Sequence, residues 1–424
     1  MRKFIKYFFI VLCAINISCR NEVKVIYDEA EVPKYKLPQI LVDDSGDSIE
    51  TFGPWVDHRK EEILNLFSEN VYGEFPGLDY SIEFSEKTVC DDYDGGLGSI
   101  KEIEARVTTQ HGTGKFTILY VYPNGIKHVP VFAGLNFGGN QTIDTLSKIS
   151  LAQGWVPNSE KRHITENHAS TASRGSSASR WPLSIILKHG YGVATAYYGD
   201  FDPDYDDDFL NGFHPLFATP GKERNSSSPG SISMWAKGLS LIADYLVQDS
   251  IADPNSLILI GHSRLGKAAL WAGANDERYS AVISNNSGCG GAALSMRAFG
   301  ETVESINTRF PHWFCDEFKR YNGKEKKLPL DQHMLLALMA PRPLYVASAT
   351  EDQWADPRGE FLSLQACAPV YALFGSDQDF PQTMPDPDKP YHGITGYHLR
   401  SGKHDLSDFD WIMYLNWCSR WLVE

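Results

Sequence analysis

The stretch Leu257-Ile258-Leu259-Ile260-Gly261-His262-Ser263-Arg264-Leu265-Gly266-Lys267 runs from four β-forming aliphatic residues, through a serine, into a helix-favouring segment. A strand that turns sharply into a helix lifts the side chain of the turn residue out at the top of a parallel sheet, which is one way to present a nucleophilic serine. Gly261 and Gly266 carry no Cβ, so strand and helix can approach closely around such a turn. Ser263 then stands at a helix N-terminus, where free backbone N–H groups can meet developing negative charge. The chemistry this predicts is acyl transfer to the serine. A serine hydroxyl is a weak nucleophile at neutral pH, so it needs a histidine base and a carboxylate that orients the histidine and stabilises its charged form.

In a fold built around such a turn the order along the chain is serine, acid, histidine. His312, His333, His392, His398 and His404 follow Ser263. His404 falls between a final strand and a final helix and is the expected base. His398 lies within that strand, His392 before it and His333 on a helix, and those places suit structural histidines. The acid is expected just after a strand at 343–349, where Glu351, Asp352 and Asp356 compete. Asp356 precedes Pro357 and reads as a helix N-cap with proline at the first helical position. Glu351, adjacent to Asp352, is expected to point elsewhere. Asp352 is therefore the assignment, with Glu351 and Asp356 as its alternatives. The backbone N–H of Arg264 is the expected oxyanion donor and its guanidinium a second, charged one, a surface ion pair being the alternative use of that side chain. Lys267 lies one helical turn past Ser263 on the same face.

The elements that must position these groups can be read from periodicity. Residues 57–73 read as a helix with Ile63, Leu64, Phe67 and Val71 on one face and Gly73 to close it. Residues 80–86, 100–109 and 115–122 alternate as strands, and 130–136 and 192–198 read as buried strands. Between the last two, residues 140–182 form a long polar excursion, followed by another over 199–230. The latter carries Asp202-Pro203-Asp204-Tyr205-Asp206-Asp207-Asp208, which lacks the glycine and terminal glutamate of a calcium loop and reads as a solvated loop. Alternation then becomes regular: a helix at 232–247, the serine strand, a strand at 280–285, a helix near 331–339, the strand at 343–349, a helix from Pro357, and a strand at 394–400. A last helix carries Trp411, Leu415, Cys418 and Leu422 on one face, with Ser407 as its cap. Strands alternating with helices imply a mainly parallel sheet covered on both faces.

With its second glycine one residue later than in the common G-x-S-x-G, the motif reads G-x-S-R-x-G-K, and it resembles the nucleophile signature of the glucuronoyl esterases, carbohydrate esterase family 15. Asn285-Asn286-Ser287-Gly288-Cys289-Gly290-Gly291 is similar to the family's glycine-rich loop. Phe310-Pro311-His312-Trp313-Phe314, Ala340-Pro341-Arg342-Pro343, Glu351 through Pro357, and Ser401-Gly402-Lys403-His404 through Asp410-Trp411 resemble its bacterial members. The resemblance is specific over the C-terminal half and loose over the N-terminal half. It implies an α/β-hydrolase fold, a mainly parallel sheet in an αβα sandwich with inserted loops. It also implies that Lys267 contacts sugar hydroxyls, with Glu301 accepting from a hydroxyl and Trp354 packing on the sugar ring or its 4-O-methyl group. Fungal members carry Cys where this chain has His262, which argues against a disulfide beside the serine. They carry Glu where this chain has Asn286, and an amide cannot supply the negative charge that the histidine needs.

Composition bounds the remaining possibilities. The 424 residues are 42% hydrophobic, enough for a sizeable core. A net charge of -15 argues against a nucleic-acid partner and is compatible with a mostly neutral polysaccharide. Arg2, Lys3 and Lys6 precede the short apolar run Phe8–Ile15, too short to span a bilayer, and Ile17-Ser18-Cys19 reads as the end of a lipobox. The expectation is a lipoprotein-type signal peptide over 1–18, a tether and strap over 19–50, and one α/β-hydrolase domain over 51–424. The protein would then be a periplasmic or cell-surface lipoprotein whose only membrane contact is its lipid. After export Cys90, Cys289, Cys315, Cys367 and Cys418 remain, an odd number; Cys289–Cys315 is a candidate pair, and buried free thiols are the alternative. The expected activity is that of a 4-O-methyl-glucuronoyl methylesterase, on esters between glucuronic acid side groups of xylan and lignin alcohols, with no metal or organic cofactor. One rival is a serine esterase on another ester such as acetyl-xylan, which would not need the clamp of Lys267, Glu301 and Trp354. The other is a non-catalytic glycan-binding surface lipoprotein, against which an intact serine, histidine and acid set argues.

Overall fold

Aliphatic residues in strict succession fill both faces of a sheet, and the serine strand does so. In the computed structural model, Leu257 and Leu259 point into one hydrophobic core while Ile258 and Ile260 point into another on the opposite face. The structure describes residues 25–73, 75–218, 221, 223–376 and 380–422; the expected signal segment and its Cys19 lie outside them. Nine strands form one sheet: β1 (Ser81–Tyr93), β2 (Gly98–Thr109), β3 (Gly112–Pro123), β4 (Val129–Asn136), β5 (Gly192–Tyr197), β6 (Ala252–His262), β7 (Tyr279–Asn285), β8 (Leu344–Ala349) and β9 (Thr395–Arg400). Their order is β1-β2-β3-β5-β4-β6-β7-β8-β9. The first three are joined by short turns and pair antiparallel, as does β3 with β5. From β5 onward every pairing is parallel, because each connection crosses over through a helix or a long excursion. This is an α/β-hydrolase fold.

Helices cover both faces. Trp235, Leu239 and Ile242 of the helix Ser231–Leu246 share a core with Leu265, Ala268 and Ala269 of the helix Arg264–Asn275. On the other face Trp411, Leu415 and Cys418 of the last helix, Asp408–Trp421, pack against Phe132, Ile258 and Ile283. The expected helix at 57–73 is a helical run from Phe52 to Tyr72 whose Ile63, Phe67 and Val71 are buried. It ends at Gly73, with φ +85°, where a Cβ would stand 2.4 Å from the Pro229 Cα. Residues 25–50 lie against the body. The Ile26 carbonyl accepts from Gly300 N–H at 2.9 Å, Glu29 pairs with Arg297 at 2.6 Å, and the Pro38 carbonyl accepts from His333 Nε2 at 3.1 Å. Among the described residues no helix is long and apolar enough to cross a membrane.

Two expectations need correction. The acidic run is not a solvated loop throughout: Asp202 is buried, and the Asp204 side chain is 5% exposed, held by donors from other segments. Cys289 and Cys315 are not joined; all five described cysteines are free thiols, four of them buried. Burial pushes the Cys289 thiol well above its usual range, and Cys315 donates to the Glu69 carbonyl.

The register of the parallel strands brings the chemistry together. His262 pairs with Asn285 across β6–β7, Asn285 with Ala347 across β7–β8, and Ala349 with Arg400 across β8–β9. Four consecutive strands therefore end on one edge. The segments after them begin with Ser263, Asn286, Thr350 and Ser401, at the carboxyl end where open α/β sheets bind ligands.

Candidate active site

Ser263 has φ +58° and ψ −130°, a conformation that a residue with a Cβ occupies only when its surroundings impose it. Those surroundings are backbone. At Gly261 an added Cβ would stand 2.0 Å from the Leu265 carbonyl oxygen, so only glycine lets the strand end pass under the first turn of the helix. The Ser263 N–H donates to the Asn285 carbonyl at 2.9 Å and its carbonyl accepts from Gly266 N–H at 2.8 Å. The helix starts at Arg264, whose N–H is among those with no intrahelical acceptor.

Ser263 opens into a cavity of about 340 Å³, lined by all seven residues expected at the site: Ser263, His404, Asp352, Arg264, Lys267, Glu301 and Trp354. His404 Nδ1 lies 2.6 Å from Asp352 Oδ2. The same oxygen accepts from Asn286 Nδ2 at 2.8 Å. Burial alone would raise the pKa of Asp352, but the bonds from His404 and Asn286 hold it below the ordinary aspartate value. A carboxylate on Nδ1 keeps the proton there and leaves Nε2 as the basic nitrogen. The competing acids go elsewhere. Glu351 is exposed, and Asp356 caps the next helix through Gly359 N–H at 2.9 Å while pairing with Arg297 Nε at 2.8 Å. His398, expected to be structural, is buried with Nε2 2.9 Å from Asp410.

The His262 ring packs on the His404 ring, with centroids 4.5 Å apart and a 40° tilt. Its Nδ1 donates to Asn285 Oδ1 at 2.6 Å, and Asn285 in turn donates to the Tyr414 hydroxyl at 2.7 Å. Burial, with the His404 charge next, pushes His262 well below the usual histidine range, so it is a neutral ring behind His404.

Arg264 is not in a surface ion pair. Its guanidinium bonds to the buried Asp204 and lies 4.7 Å from the Trp313 ring centre. Asp204 also accepts from His312 Nε2 at 3.0 Å, Trp313 Nε1 at 2.8 Å and the Tyr198 hydroxyl at 2.9 Å. Burial would raise its pKa, but His312, Arg264 and Trp313 outweigh that and hold it well below the carboxylate range. Asp204 therefore fixes the Arg264 guanidinium at the cavity wall. The sequence reading missed this. The one local hint was the Phe310–Phe314 motif; the carboxylate itself sits in an acidic run and meets three of its donors only through folding.

On the other side, Lys267 is buried and its Nζ donates to the Ser287 carbonyl. Burial lowers its pKa, and the charge of Glu301 is the main opposing influence. Burial raises Glu301, opposed by Lys267 and by a hydrogen bond from the Trp354 side chain. One wall is aromatic: Phe310 stacks flush on Trp313 at 3.8 Å, and Arg309 lies between Phe310 and Trp354, 5.3 and 5.4 Å from their ring centres. The cavity thus joins a serine at a helix N-terminus and a carboxylate-bound histidine to a polar, aromatic-walled space of sugar size. Such an arrangement suits acyl transfer from a sugar acid.

Comparison with known proteins gives the family. Residues 216–375 match the family model for glucuronyl esterase of fungi. The chain is 44% identical over 391 residues to a carbohydrate esterase from an unknown prokaryotic organism, covering 92% of this chain and 90% of the relative. It is 32% identical over 173 residues to the 4-O-methyl-glucuronoyl methylesterase of Neurospora crassa, 38% of this chain and 42% of that one. Among solved structures, a promiscuous CE15 esterase from a marine bacterial metagenome superposes with a TM-score of 0.89 at 43% identity, over 94% of this chain and 100% of that one. A glucuronoyl esterase from Solibacter usitatus does so with a TM-score of 0.86 at 40% identity, over 93% and 100%.

Proposed function

The chain belongs to the glucuronoyl esterases, carbohydrate esterase family 15, and we propose that it is a serine esterase that cleaves the ester joining a glucuronic acid side group of xylan to a lignin alcohol. The observation that carries this reading is the cavity itself. A serine in a strained strand-to-helix turn and a histidine bonded to a buried carboxylate share it with Lys267, Glu301 and Trp354.

Ser263 Oγ attacks the uronate carbonyl while His404 Nε2 takes its proton. Asp352 stabilises the imidazolium that results. The oxyanion is met by the Arg264 N–H and, at the edge of the same space, by the guanidinium that Asp204 holds in place. His404 then gives its proton to the leaving alcohol, the C–O bond breaks, and a glucuronoyl-enzyme ester remains. A water, deprotonated by His404, attacks that ester; the bond to Ser263 Oγ breaks as His404 returns the proton to Oγ, and free glucuronate leaves. Lys267 and Glu301 hold the sugar through its hydroxyls, and Trp354 packs on the ring or its 4-O-methyl group. These groups are unnecessary for a small acyl group, which is what separates this reading from an acetyl esterase.

A leader ending at Ser18, with Cys19 as the lipidated residue, would put this activity at a bacterial cell envelope or surface. Residues 19–50 would serve as tether and strap, and 51–424 as the catalytic domain. The deciding experiment compares initial rates on benzyl glucuronate and on an aryl acetate for the wild type and Ser263→Ala. Preference for the glucuronate ester, lost in the variant, is expected. A wild type that turns over only the acetate would reject the substrate assignment.

A further inference from the structure

Glu360 lies in the first turn of the helix Pro357–Leu373, fully buried, and is not among the cavity residues. Its carboxyl gathers three donors from two other segments. Gly288 N–H bonds Oε1 at 2.9 Å, the Ser287 hydroxyl reaches Oε1 at 3.4 Å, and the Ser348 hydroxyl bonds Oε2 at 2.6 Å. Burial raises its pKa to about 8 against the pull of those donors.

What Glu360 grips is the turn after β7. Asn286 and Gly288 have φ of +49° and +58°, so two left-handed residues flank Ser287. A turn of this kind persists only where its surroundings over-determine it. It also touches both halves of the cavity. Asn286 Nδ2 donates to the Asp352 oxygen that binds His404, and the Ser287 carbonyl accepts from Lys267 Nζ. A shift of the turn therefore moves the orientation of the acid and the direction of the lysine together.

We propose that Glu360 is a positioning residue that locks the Asn286–Gly288 turn and, through it, sets Asp352 on one side of the cavity and Lys267 on the other. The proposal rests on the roles given to Asp352 and Lys267 above.

The test is steady-state kinetics of Glu360→Ala and Glu360→Gln on benzyl glucuronate and on an aryl acetate, with circular dichroism and melting to confirm folding. Glu360→Ala should lower kcat about tenfold on both esters, through Asp352, and raise KM about tenfold on the glucuronate ester alone, through Lys267. Glu360→Gln, whose amide oxygen can still accept from Gly288 N–H, should stay within about threefold of wild type. In a Lys267→Ala background Glu360→Ala should leave the glucuronate KM unchanged, because the two act through one contact. Glu360→Met, which keeps the bulk and removes the acceptors, serves if the alanine variant does not fold. A folded alanine or methionine variant with kcat and KM within twofold of wild type overturns the proposal, as does an additive KM effect with Lys267→Ala. If neither variant folds while Glu360→Gln is kinetically unaltered, Glu360 serves folding alone and the proposal falls. A wild type inactive on the glucuronate ester, with kcat on acetate still lowered by Glu360→Ala, would instead refute the substrate reading and leave the acid side of the proposal standing.

Discussion

Replacing Asp352 by asparagine keeps the shape of the site and removes its charge, and the structure lets the cost be worked out. Two donors, His404 Nδ1 and Asn286 Nδ2, converge on the one oxygen Oδ2 at 2.6 and 2.8 Å. The new amide will turn its oxygen toward them, because its NH2 would face two donors. The histidine tautomer is therefore kept, and what is lost is the charge opposite the imidazolium. Two unit charges about 4 Å apart at an effective dielectric constant of about 20 interact by about 4 kcal/mol. The acid side chain is 6% exposed but the histidine 40%, so solvent screening reduces this to about 2–4 kcal/mol. At 1.36 kcal/mol per tenfold, kcat should fall by about 30-fold to 10³-fold with little change in KM. That is milder than the roughly 10⁴ seen where the substitution also traps the wrong tautomer. The assay is initial rates on benzyl glucuronate from pH 5 to 9, on protein shown to be folded. A folded Asp352→Asn variant that keeps more than about a tenth of the activity would refute the reasoning and move the role to Glu351 or Asp356.

Ser263→Ala should abolish turnover, by about 10⁴–10⁶, while the fold persists; more than a tenth of wild-type activity in the folded variant would remove the serine from the mechanism. Lys267→Ala and Glu301→Ala should each lose about 10-fold to 100-fold in kcat/KM on the glucuronate ester and far less on an aryl acetate, since a hydrogen bond to a charged group is worth roughly 1.5–3 kcal/mol; equal losses on both esters would make these residues scaffolding. His262 is held neutral in the folded protein while its unfolded counterpart gains a proton below about pH 6.5, so it removes stability as pH falls from there. His262→Phe, which keeps a ring against His404, should therefore lose less stability between pH 7 and pH 5 than the wild type in urea titrations, and an identical loss would contradict the assignment. Cys19→Ser should release the protein from the membrane fraction of a bacterial host, and an unmodified N-terminus cut elsewhere in the wild type, seen by mass spectrometry, would oppose the lipoprotein reading.

The features legible in the sequence are those written in contiguous residues. β6, its turn and the helix after it show through because aliphatic succession, two glycines and a helix-favouring run are local patterns. Asp352 and His404 could be singled out because each lies a few residues past the end of a buried strand, and strand ends on one edge must converge. β1 was read as ending near residue 86 because beyond it Lys87, Asp91 and Asp92 on an edge strand face water and break the alternation, yet it runs to Tyr93 through backbone pairing with β2. Tertiary structure alone decided the partners. Asp204 looks like any member of its acidic run until Arg264, His312 and Trp313 arrive from residues 60 to 109 positions later. Glu360 has the sequence context of an ordinary first-turn glutamate until β8 and the turn after β7 enclose it. Cys289 and Cys315 are both buried near the site and remain separate thiols. A nucleophile's turn is set by the conformational preferences of a few adjacent residues. The environment of a buried charge is set by groups that only the folded chain brings within hydrogen-bonding distance.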